Sequence, residues 1–586
     1  MTLKKTIIAF FLLALSSFAA LAEGWKWVNP LDNPYPVIQN QAWISETGKS
    51  YHRLPDRAQP NVRGAVWSLG RHSAGLALYF YSNAPKIRVR YTVGGPLAMH
   101  HMPATGVSGV DLYGIDSEGK SRRFFGFFNG YPDADTLTTT FINDRMNESH
   151  GQGYEFRMYL PLYNSAEFLE IGVPDSCDIS FLPASQEKPI VLYGSSIEQG
   201  AVASRPGMAW GTQVQRALDM PLVNLGFSGN GRLEKGILDL MAEVDASLYI
   251  LSCLPNLTGE SPEVLDSLTC AAVANLRSAN NAPIILLEHP GFADVPVNAA
   301  QAEIIDRLNT ASKAIYRKLL DQGVKDIYYV SREDINIPAE GWTDDVHPSD
   351  LGQTAIAKAV EKVARQALHM PEGNSETTRP VTQRREPGSY EWRERHEAIL
   401  AKNKVNPPKK VLIGNSITHY WGGEPDAKLK SGAKSWDKYM RPAGFGNLGF
   451  GWDRVENALW RVYHGELDGF EAEDVYLMIG TNNFERNTDA EILDGLSALL
   501  EAVRIRQPKA RICFIGILPR RGGEEWSRNL NAKIEKFAAS EGVSFINPGV
   551  KLLNADGTLN EKLFRDGLHP NEKGYNLIAP IIAGKH

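Results

Sequence analysis

The chain has 586 residues, of which 43% are hydrophobic and 22% are charged, and its formal net charge is −6 at pH 7. This length exceeds what a single hydrophobic core supports, so the chain is expected to form about three domains. The charge argues against a nucleic-acid-binding protein, which needs a concentrated basic surface. The composition is otherwise that of an ordinary globular protein.

Residues 1–22 have the features of a signal peptide. Lys4 and Lys5 precede an apolar run at 7–15, and the sequence Ala-Leu-Ala at 20–22 fits a small-x-small cleavage site. The alternative is an N-terminal membrane anchor, but the apolar run is short for a span and no stop-transfer pattern follows it. We therefore expect an exported protein, periplasmic or extracellular, with no integral membrane span after cleavage.

Residues 24–185 are predicted to form a β-sandwich that acts as an accessory domain. Apolar or alternating runs are separated by Gly, Pro, Asn and Asp turns, as in antiparallel sheets. These runs include 76–81, 87–93 and 156–160. His100 and His101 are weak candidates for a metal site, because adjacent residues on a strand point to opposite faces. The sequence predicts no self-contained catalytic set in this region.

Residues 186–370 alternate between short apolar runs and longer segments with helical spacing. The predicted strands lie at 189–193, 221–225, 247–252, 283–287 and 327–330, and the predicted helices include 302–320 and 351–367. Strands that are joined by helical crossovers form a parallel sheet with helices on both faces. A parallel α/β domain is therefore expected here.

The same pattern then appears a second time. Residues 371–389 are rich in Pro, Thr, Arg, Glu and Gly and have almost no apolar residues, so they are expected to form a linker. In 390–586, the predicted strands lie at 410–413, 475–479, 511–516 and 543–546, and the predicted helices include 488–505 and 527–539. The chain is therefore expected to contain the same α/β domain twice.

Each predicted α/β domain begins with an apolar strand that runs into a Gly-x-Ser-Ile sequence. The serines are Ser196, in IVLYGSSI at 190–197, and Ser416, in VLIGNSIT at 411–418. A serine at the carboxyl end of a strand lies where α/β sheets place ligands and chemistry. Most serines are surface groups, so a catalytic role depends on partners further along the chain.

Each domain also ends with Asp-x-x-His-Pro ahead of its last helix. The pairs are Asp344 with His347 and Asp566 with His569. A histidine in a loop is more often structural than catalytic, but a serine nucleophile needs a base, and an imidazole oriented by a carboxylate is the usual one. The two serine-to-histidine separations are 151 and 153 residues. The same order at nearly the same spacing, twice in one chain, favours a catalytic role.

Two further elements lie between the serine and the histidine of each domain. Gly-containing turns follow the second strand at 224–231 and 447–453, and Asn256 and Asn482 follow the third strand. Each of these elements could serve only to shape a turn. Alternatively, a backbone N–H of the turn and the amide of the Asn could donate hydrogen bonds to an oxyanion.

With these four elements, the two α/β domains resemble the SGNH (GDSL) hydrolase family, which is named after its Ser, Gly, Asn and His blocks. The resemblance implies a flavodoxin-like α/β/α fold and the hydrolysis of esters. The implied triads are Ser196–His347–Asp344 and Ser416–His569–Asp566. The implied oxyanion donors, besides the serine N–H groups, are Gly229, Asn256, Gly451, Trp452 and Asn482.

Other parts of the chain refine this resemblance. The second α/β domain is also similar to platelet-activating-factor acetylhydrolase catalytic subunits, through its turn at 447–453 and GTNN at 480–483. The N-terminal region, with GVDLY at 109–113, resembles the sandwich module that precedes some bacterial SGNH domains. The chain departs from the family because Gly-Asp-Ser becomes Gly-Ser-Ser or Gly-Asn-Ser, and because Trp452 stands where the turn usually has its oxyanion glycine.

The sequence therefore predicts a tandem serine esterase that removes O-acyl, in particular O-acetyl, groups from carbohydrate through an acyl-enzyme intermediate. The expected partner is a small-molecule or polysaccharide ester, and no metal ion or organic cofactor is expected. The alternatives are a lipid or thioester hydrolase of the same fold, and a glycan-binding protein with one or both hydrolase domains inactive. Trp210, Trp421 and Trp436 could stack on sugar rings if exposed, although buried packing is the more common fate of tryptophan. The sequence does not indicate an oligomeric state.

Overall fold

The computed structural model describes residues 24–124, 126–128, 136–142, 153–385, 388–425 and 427–584. The expected signal peptide at 1–22 lies outside these residues. In the described part of the chain, no helix is both long enough and apolar enough to cross a membrane.

Two antiparallel sheets enclose a common core in the N-terminal region, as the sequence predicts. The strands are β1 (Trp25–Val28), β2 (Ile38–Gln39), β3 (Ala77–Ser82), β4 (Lys86–Val93), β5 (Asp111–Ile115), β6 (Ser121–Phe124), β7 (Gly126–Phe128), β8 (Leu137–Ile142), β9 (Tyr154–Tyr159), β10 (Ala166–Pro174) and β11 (Ile179–Phe181). Their orders are β1-β10-β4-β8-β7 and β11-β3-β9-β5-β6, with β2 paired to β3. Along β4, Ile87, Val89 and Tyr91 are buried and alternate with partly exposed residues, so one face of the strand fills the space between the sheets. Three short helices are α1 (Ile44–Thr47), α2 (Gly64–Gly70) and α3 (Ala104–Val107).

The first α/β domain has five parallel strands in the order β13-β12-β14-β15-β16. They are β12 (Ile190–Gly194), β13 (Leu222–Gly226), β14 (Leu248–Ser252), β15 (Ile284–Leu287) and β16 (Ile327–Val330). The helices are α4 (Ser196–Gln199), α5 (Trp210–Leu218), α6 (Lys235–Ala242), α7 (Pro262–Ala279), α8 (Ala299–Asp321), α9 (Arg332–Ile335) and α10 (Asp350–Ala367). Alternate residues of β12 belong to two separate apolar clusters, one on each face of the sheet. Because both faces are covered, the central strands are apolar throughout.

The second α/β domain repeats this topology, with the strand order β18-β17-β19-β20-β21. Its strands are β17 (Lys410–Gly414), β18 (Phe445–Gly449), β19 (Asp474–Met478), β20 (Arg511–Ile515) and β21 (Ser544–Ile546). The helices are α11 (Trp392–Val405), α12 (Ser416–Gly422), α13 (Ala433–Ser435), α14 (Val455–Tyr463), α15 (Asp489–Arg506), α16 (Glu524–Ser540) and α17 (Glu572–Ile582). The predicted fold class, a β-sandwich followed by two α/β/α domains with parallel sheets, is therefore confirmed.

The segment that was expected to be a linker packs against the second α/β domain in its described part. We call residues 375–385 the strap. Thr377 and Gln383 of the strap are buried. The Val381 N–H donates a hydrogen bond to the Glu456 carbonyl of α14 at 3.3 Å. The strap has too few apolar residues for a core of its own, so polar contacts hold it in place.

One carboxylate joins the sandwich to both α/β domains. Asp219 follows α5, and its Oδ1 accepts a hydrogen bond from the Arg157 guanidinium of β9. Its Oδ2 accepts the indole N–H of Trp460, on α14, at 2.8 Å. Arg157 also pairs with Glu155 at 3.0 Å, and both of these side chains are only 4% exposed. The three domains therefore meet at a buried ionic cluster.

Replacing Asp219 by Ala should lower the free energy of unfolding by about 3 kcal/mol. The reason is that the Trp460 N–H and one guanidinium nitrogen of Arg157 lose their hydrogen-bond acceptor. Burial alone would raise the pKa of Asp219, but Arg157 holds this pKa below its ordinary value. A carboxylate whose folded-state pKa is lowered stabilises the protein above about pH 4, and this effect is lost as the pH falls through the folded-state pKa. The difference in Tm between the variant and the wild type should therefore become smaller as the pH is lowered below about 4.

Asp178→Ala is the matched control for this experiment. Asp178 pairs with Lys26 on the surface at 3.4 Å, and such exposed pairs contribute less than about 1 kcal/mol. Equal destabilisation by the two variants at neutral pH would contradict the joining role of Asp219.

Two candidate active sites

Each candidate nucleophile is the first residue of a helix that begins directly after a buried strand. Ser196 starts α4 after β12, and Ser416 starts α12 after β17. The residue before each serine caps the helix, because its side-chain oxygen accepts the N–H of the second helical residue. These contacts are Ser195 Oγ to Ile197 N at 3.2 Å and Asn415 Oδ1 to Ile417 N at 2.9 Å. Ser and Asn are as suitable as Asp for this cap, so the departure from Gly-Asp-Ser leaves the local structure intact.

The structure brings the expected triad of the first domain together. The Ser196 Oγ lies 3.1 Å from His347 Nε2, and His347 Nδ1 lies 2.9 Å from Asp344 Oδ2. The Asp344 Oδ1 also accepts the backbone N–H groups of Val346 at 2.8 Å and of His347 at 2.7 Å. Burial alone would raise the pKa of Asp344, but the hydrogen bonds from the His347 ring and from these N–H groups lower it. The carboxylate therefore stays ionised and can orient the imidazole for proton transfer.

The second triad has the same arrangement. The Ser416 Oγ lies 2.8 Å from His569 Nε2, and His569 Nδ1 lies 2.8 Å from Asp566 Oδ2. The Asp566 Oδ1 accepts the His569 N–H at 2.8 Å, and its Oδ2 also accepts from Arg565 at 3.2 Å. Burial opposes ionisation of Asp566, but the hydrogen bonds from His569 outweigh it and hold the pKa of this carboxyl well below its usual range. Both histidines are thus placed to accept the proton of their serine.

The expected oxyanion donors of the first site lie in the turn after β13. Gly229 has φ +69°, a left-handed conformation that favours glycine, and its N–H donates to no acceptor in the described part of the chain. The Asn256 Oδ1 accepts the Gly231 N–H at 2.9 Å, which leaves the amide N–H₂ group to donate. Gly231 must be glycine, because a Cβ there would lie 2.3 Å from the Gly194 carbonyl oxygen. The turn therefore lies directly against the residues that precede Ser196.

In the second site, Trp452 occupies the position that corresponds to Gly229. Its φ is +62°, so its backbone has the same left-handed conformation, and its N–H has no acceptor among the described residues. Gly451, which was also expected to contribute, does not face the site, because its N–H is donated to His419 Nδ1 at 3.2 Å. The Asn482 Nδ2 donates to the Asp453 carbonyl at 2.9 Å, which leaves its second amide hydrogen for an oxyanion.

The sandwich contributes side chains to the first site that no motif in the sequence revealed. His101 lies in a turn closed by a Met99–Met102 bridge and not on a strand, and its ring centre is 5.6 Å from that of His347. The Tyr163 hydroxyl donates to the Ser196 carbonyl at 3.3 Å. Both residues lie in loops whose positions depend on how the domains pack, so spacing along the chain carries no signal for them.

His101, Asp344 and His347 hold ligand-type atoms within 4.8 Å of one another, a spacing that a transition metal ion could use after small movements. However, the two ring nitrogens of His347 already contact Ser196 and Asp344. A metal ion held by these three residues would compete with the triad for His347. The donor set therefore fits proton transfer between side chains better than metal ligation.

A nucleophilic serine with a histidine, an aspartate and oxyanion donors, at the edge of a parallel α/β/α sheet, defines a serine hydrolase. Family models match three parts of the chain: the N-terminus of SGNH-hydrolase-type esterases at 25–179, and the GDSL-like lipase/acylhydrolase family at 187–365 and again at 412–577. The chain belongs to the GDSL-like lipase/acylhydrolase family and is a carboxylic ester hydrolase.

Known relatives agree with this assignment. Platelet-activating factor acetylhydrolase IB subunit alpha1 of Rattus norvegicus is 27% identical over 220 residues, which cover 37% of this chain and 89% of that protein. The subunit alpha1 of Homo sapiens is 28% identical over 204 residues, 34% of this chain and 83% of that protein. A solved structure of a GDSL-like protein from Bacteroides ovatus is 29% identical, with a TM-score of 0.52, and covers 59% of this chain and 98% of that chain.

Replacing Trp452 by Gly should leave kcat at the second site within about threefold of wild type for a small ester. The donor is a backbone N–H, which glycine retains, and glycine adopts this left-handed conformation without strain. The rates should be measured by steady-state kinetics in a Ser196→Ala background, so that only Ser416 acts.

Trp452→Pro is the contrasting variant, because proline has no N–H and its φ is fixed near −65°. Loss of an oxyanion donor should lower kcat by about 100-fold. A proline variant as active as the glycine variant would show that Trp452 does not supply the donor.

Proposed function

We propose that this protein is an exported tandem serine esterase that removes O-acyl groups, in particular O-acetyl groups, from carbohydrate. The observation that carries the proposal is the pair of Ser–His–Asp arrangements, each formed within one domain, with Oγ to Nε2 distances of 3.1 and 2.8 Å. Each arrangement has its own candidate oxyanion donors. Each triad therefore takes all three of its residues from a single α/β domain.

At the first site, His347 Nε2 takes the proton of Ser196 Oγ as this oxygen attacks the ester carbonyl. The N–H groups of Ser196 and Gly229 and the amide of Asn256 stabilise the negative charge that develops on the carbonyl oxygen. His347 then gives the proton to the departing alcohol, and later activates the water that releases the carboxylic acid. The second site acts in the same way with its own triad.

Three features support an exported carbohydrate deacetylase. Residues 1–22 have a signal-peptide pattern, and the relatives are named acetylhydrolases. The Trp452 side chain is 49% exposed beside the second site, where an aromatic ring can stack on a sugar. The other tryptophans considered for this role, Trp210, Trp421 and Trp436, are fully buried and pack in the cores.

A lipid acetyl ester is the second candidate substrate, because the same relatives are named after platelet-activating factor, and the catalytic groups would be identical. The two substrate classes make different demands on the surface around the serine. A lipid substrate needs apolar contacts for its acyl or alkyl chain, whereas a sugar needs hydrogen-bonding groups and an aromatic face.

A fluorophosphonate probe should label two serines in the full-length protein. Ser196→Ala should remove one labelled peptide and Ser416→Ala the other, because each triad activates only its own serine. Peptide mapping by mass spectrometry identifies the sites. A protein that is folded but unlabelled at both serines would instead be a binding protein with inactive hydrolase domains.

Acetate release distinguishes the substrates. Acetylated xylan, acetylated pectin and acetylated sialoglycans should each be incubated with wild type and with the Ser196→Ala/Ser416→Ala double variant, alongside an acetylated ether phospholipid. We expect release from at least one glycan at a kcat/KM at least about tenfold above that for the lipid, and none from the double variant. Faster release from the phospholipid would reject the carbohydrate assignment and favour the lipid.

A further inference from the structure

The peptide unit between Gly451 and Trp452 carries the N–H that is placed to stabilise an oxyanion in the second site. The carbonyl of this unit belongs to Gly451 and accepts two hydrogen bonds. One comes from the Tyr390 hydroxyl at 2.7 Å and the other from Gln383 Nε2 of the strap at 2.8 Å. The peptide before it is also held, because its N–H, that of Gly451, is donated to His419 at 3.2 Å. Two hydrogen bonds to its carbonyl and one to the neighbouring peptide therefore fix the orientation of the Gly451–Trp452 peptide.

The first site holds the corresponding peptide in a different way. There the carbonyl of Ser228 accepts a hydrogen bond from Asn230 Nδ2 at 2.7 Å, within the same turn. The residue at the position of Asn230 in the second domain is Asp453, and both of its carboxyl oxygens accept hydrogen bonds, so it donates none to the turn. The donors for the Gly451 carbonyl must therefore come from outside the turn.

The Asp453 carboxylate is occupied by other contacts. Its Oδ2 accepts from Arg461 Nε at 2.8 Å, and its Oδ1 accepts the indole N–H of Trp392 at 2.8 Å. Asp453 and Arg461 are both fully buried. The carboxylate thus links α11 and α14 inside the domain, and Gln383 and Tyr390 supply the hydrogen bonds that an Asn would have supplied at this position.

A second set of contacts holds the left-handed backbone of Trp452. The Arg385 Nη2, from the strap, donates to the Trp452 carbonyl at 2.9 Å, and its Nη1 lies 3.1 Å from Glu118 Oε2 of the sandwich. Glu118 also accepts from Arg454 Nη1 at 2.6 Å, and Arg454 Nε donates to the Asn482 carbonyl at 3.2 Å. One sandwich carboxylate is therefore connected through two arginines to both candidate oxyanion residues.

We propose that Gln383, Arg385 and Tyr390 form an oxyanion clamp, a set of positioning residues for the second active site; this inference rests on the proposed esterase function. Hydrogen bonds to a peptide carbonyl polarise the peptide and make its N–H a stronger donor. The clamp also prevents the peptide from turning its N–H away. Because an oxyanion exists only in the transition state and the tetrahedral intermediate, the clamp affects kcat and leaves substrate binding unchanged.

The test compares variants in the full-length Ser196→Ala protein, with 4-nitrophenyl acetate as the substrate. Tyr390→Phe removes one donor to the Gly451 carbonyl and should lower kcat by about fivefold with KM within about twofold, as expected for one neutral hydrogen bond. The double variant Gln383→Leu/Tyr390→Phe removes both donors and should lower kcat by about 30-fold. Thermal unfolding of each variant shows whether the fold is retained.

Tyr463→Phe is the matched control, because the Tyr463 hydroxyl donates to the His369 carbonyl at 2.7 Å, away from the triad. It removes the same type of hydrogen bond and should leave kcat unchanged. A Tyr390→Phe protein with the kcat of the control overturns the proposal, and so does a rise in KM without a fall in kcat. A Ser196→Ala protein that is folded but inactive refutes the proposed function of the second site, and the clamp falls with it.

Discussion

Each candidate nucleophilic serine is the first residue of a helix that follows a buried strand without an intervening loop, and the rest of each site depends on this constraint. At this position the side chain and the N–H of one residue are both free of sheet and helix hydrogen bonds. The residue between strand and helix must then be a helix cap, as Ser195 and Asn415 are. Because parallel strands end at the same edge of a sheet, the next turn brings Gly229 or Trp452 to the serine.

The two copies meet this constraint with different neighbours. The sandwich covers the first site, where His101 lies beside the His347 ring and Tyr163 contacts the Ser196 backbone. The strap, whose Arg385 contacts Glu118 of the sandwich, donates to the Gly451 and Trp452 carbonyls of the second. The N-terminal module therefore contacts the first site directly and the second through two arginines, and the buried cluster around Asp219 holds it against both α/β domains. An accessory module that is attached in this way is a structural part of the enzyme.

Much of this architecture could be predicted from the chain because regular strands, Gly-x-Ser turns and Asp-x-x-His sequences are local patterns. Other features depend on contacts between distant segments. Gly451 and Trp452 are neighbours, and only their backbone conformation decides which N–H faces the serine. The composition of 371–389 correctly excludes an apolar core, but it does not reveal polar docking, which depends on single donors such as Gln383. For His101, the sequence suggested a strand position and gave no sign of the contact with His347, because domain packing alone brings the two rings together.

One difference between the two domains connects these observations: the position held by Asn230 in the first domain is held by Asp453 in the second. A carboxylate at this position can bind both the buried Arg461 of α14 and the indole N–H of Trp392 on α11, so it ties two helices of the second domain together. The same exchange removes the donor that the first domain uses to hold its own oxyanion peptide. The second domain therefore gains an internal ion pair but becomes dependent on residues outside its α/β fold. The strap supplies one of these donors, Gln383, and Tyr390, just before α11, supplies the other. A segment without a core of its own therefore has a definite position through hydrogen bonds to this candidate oxyanion peptide.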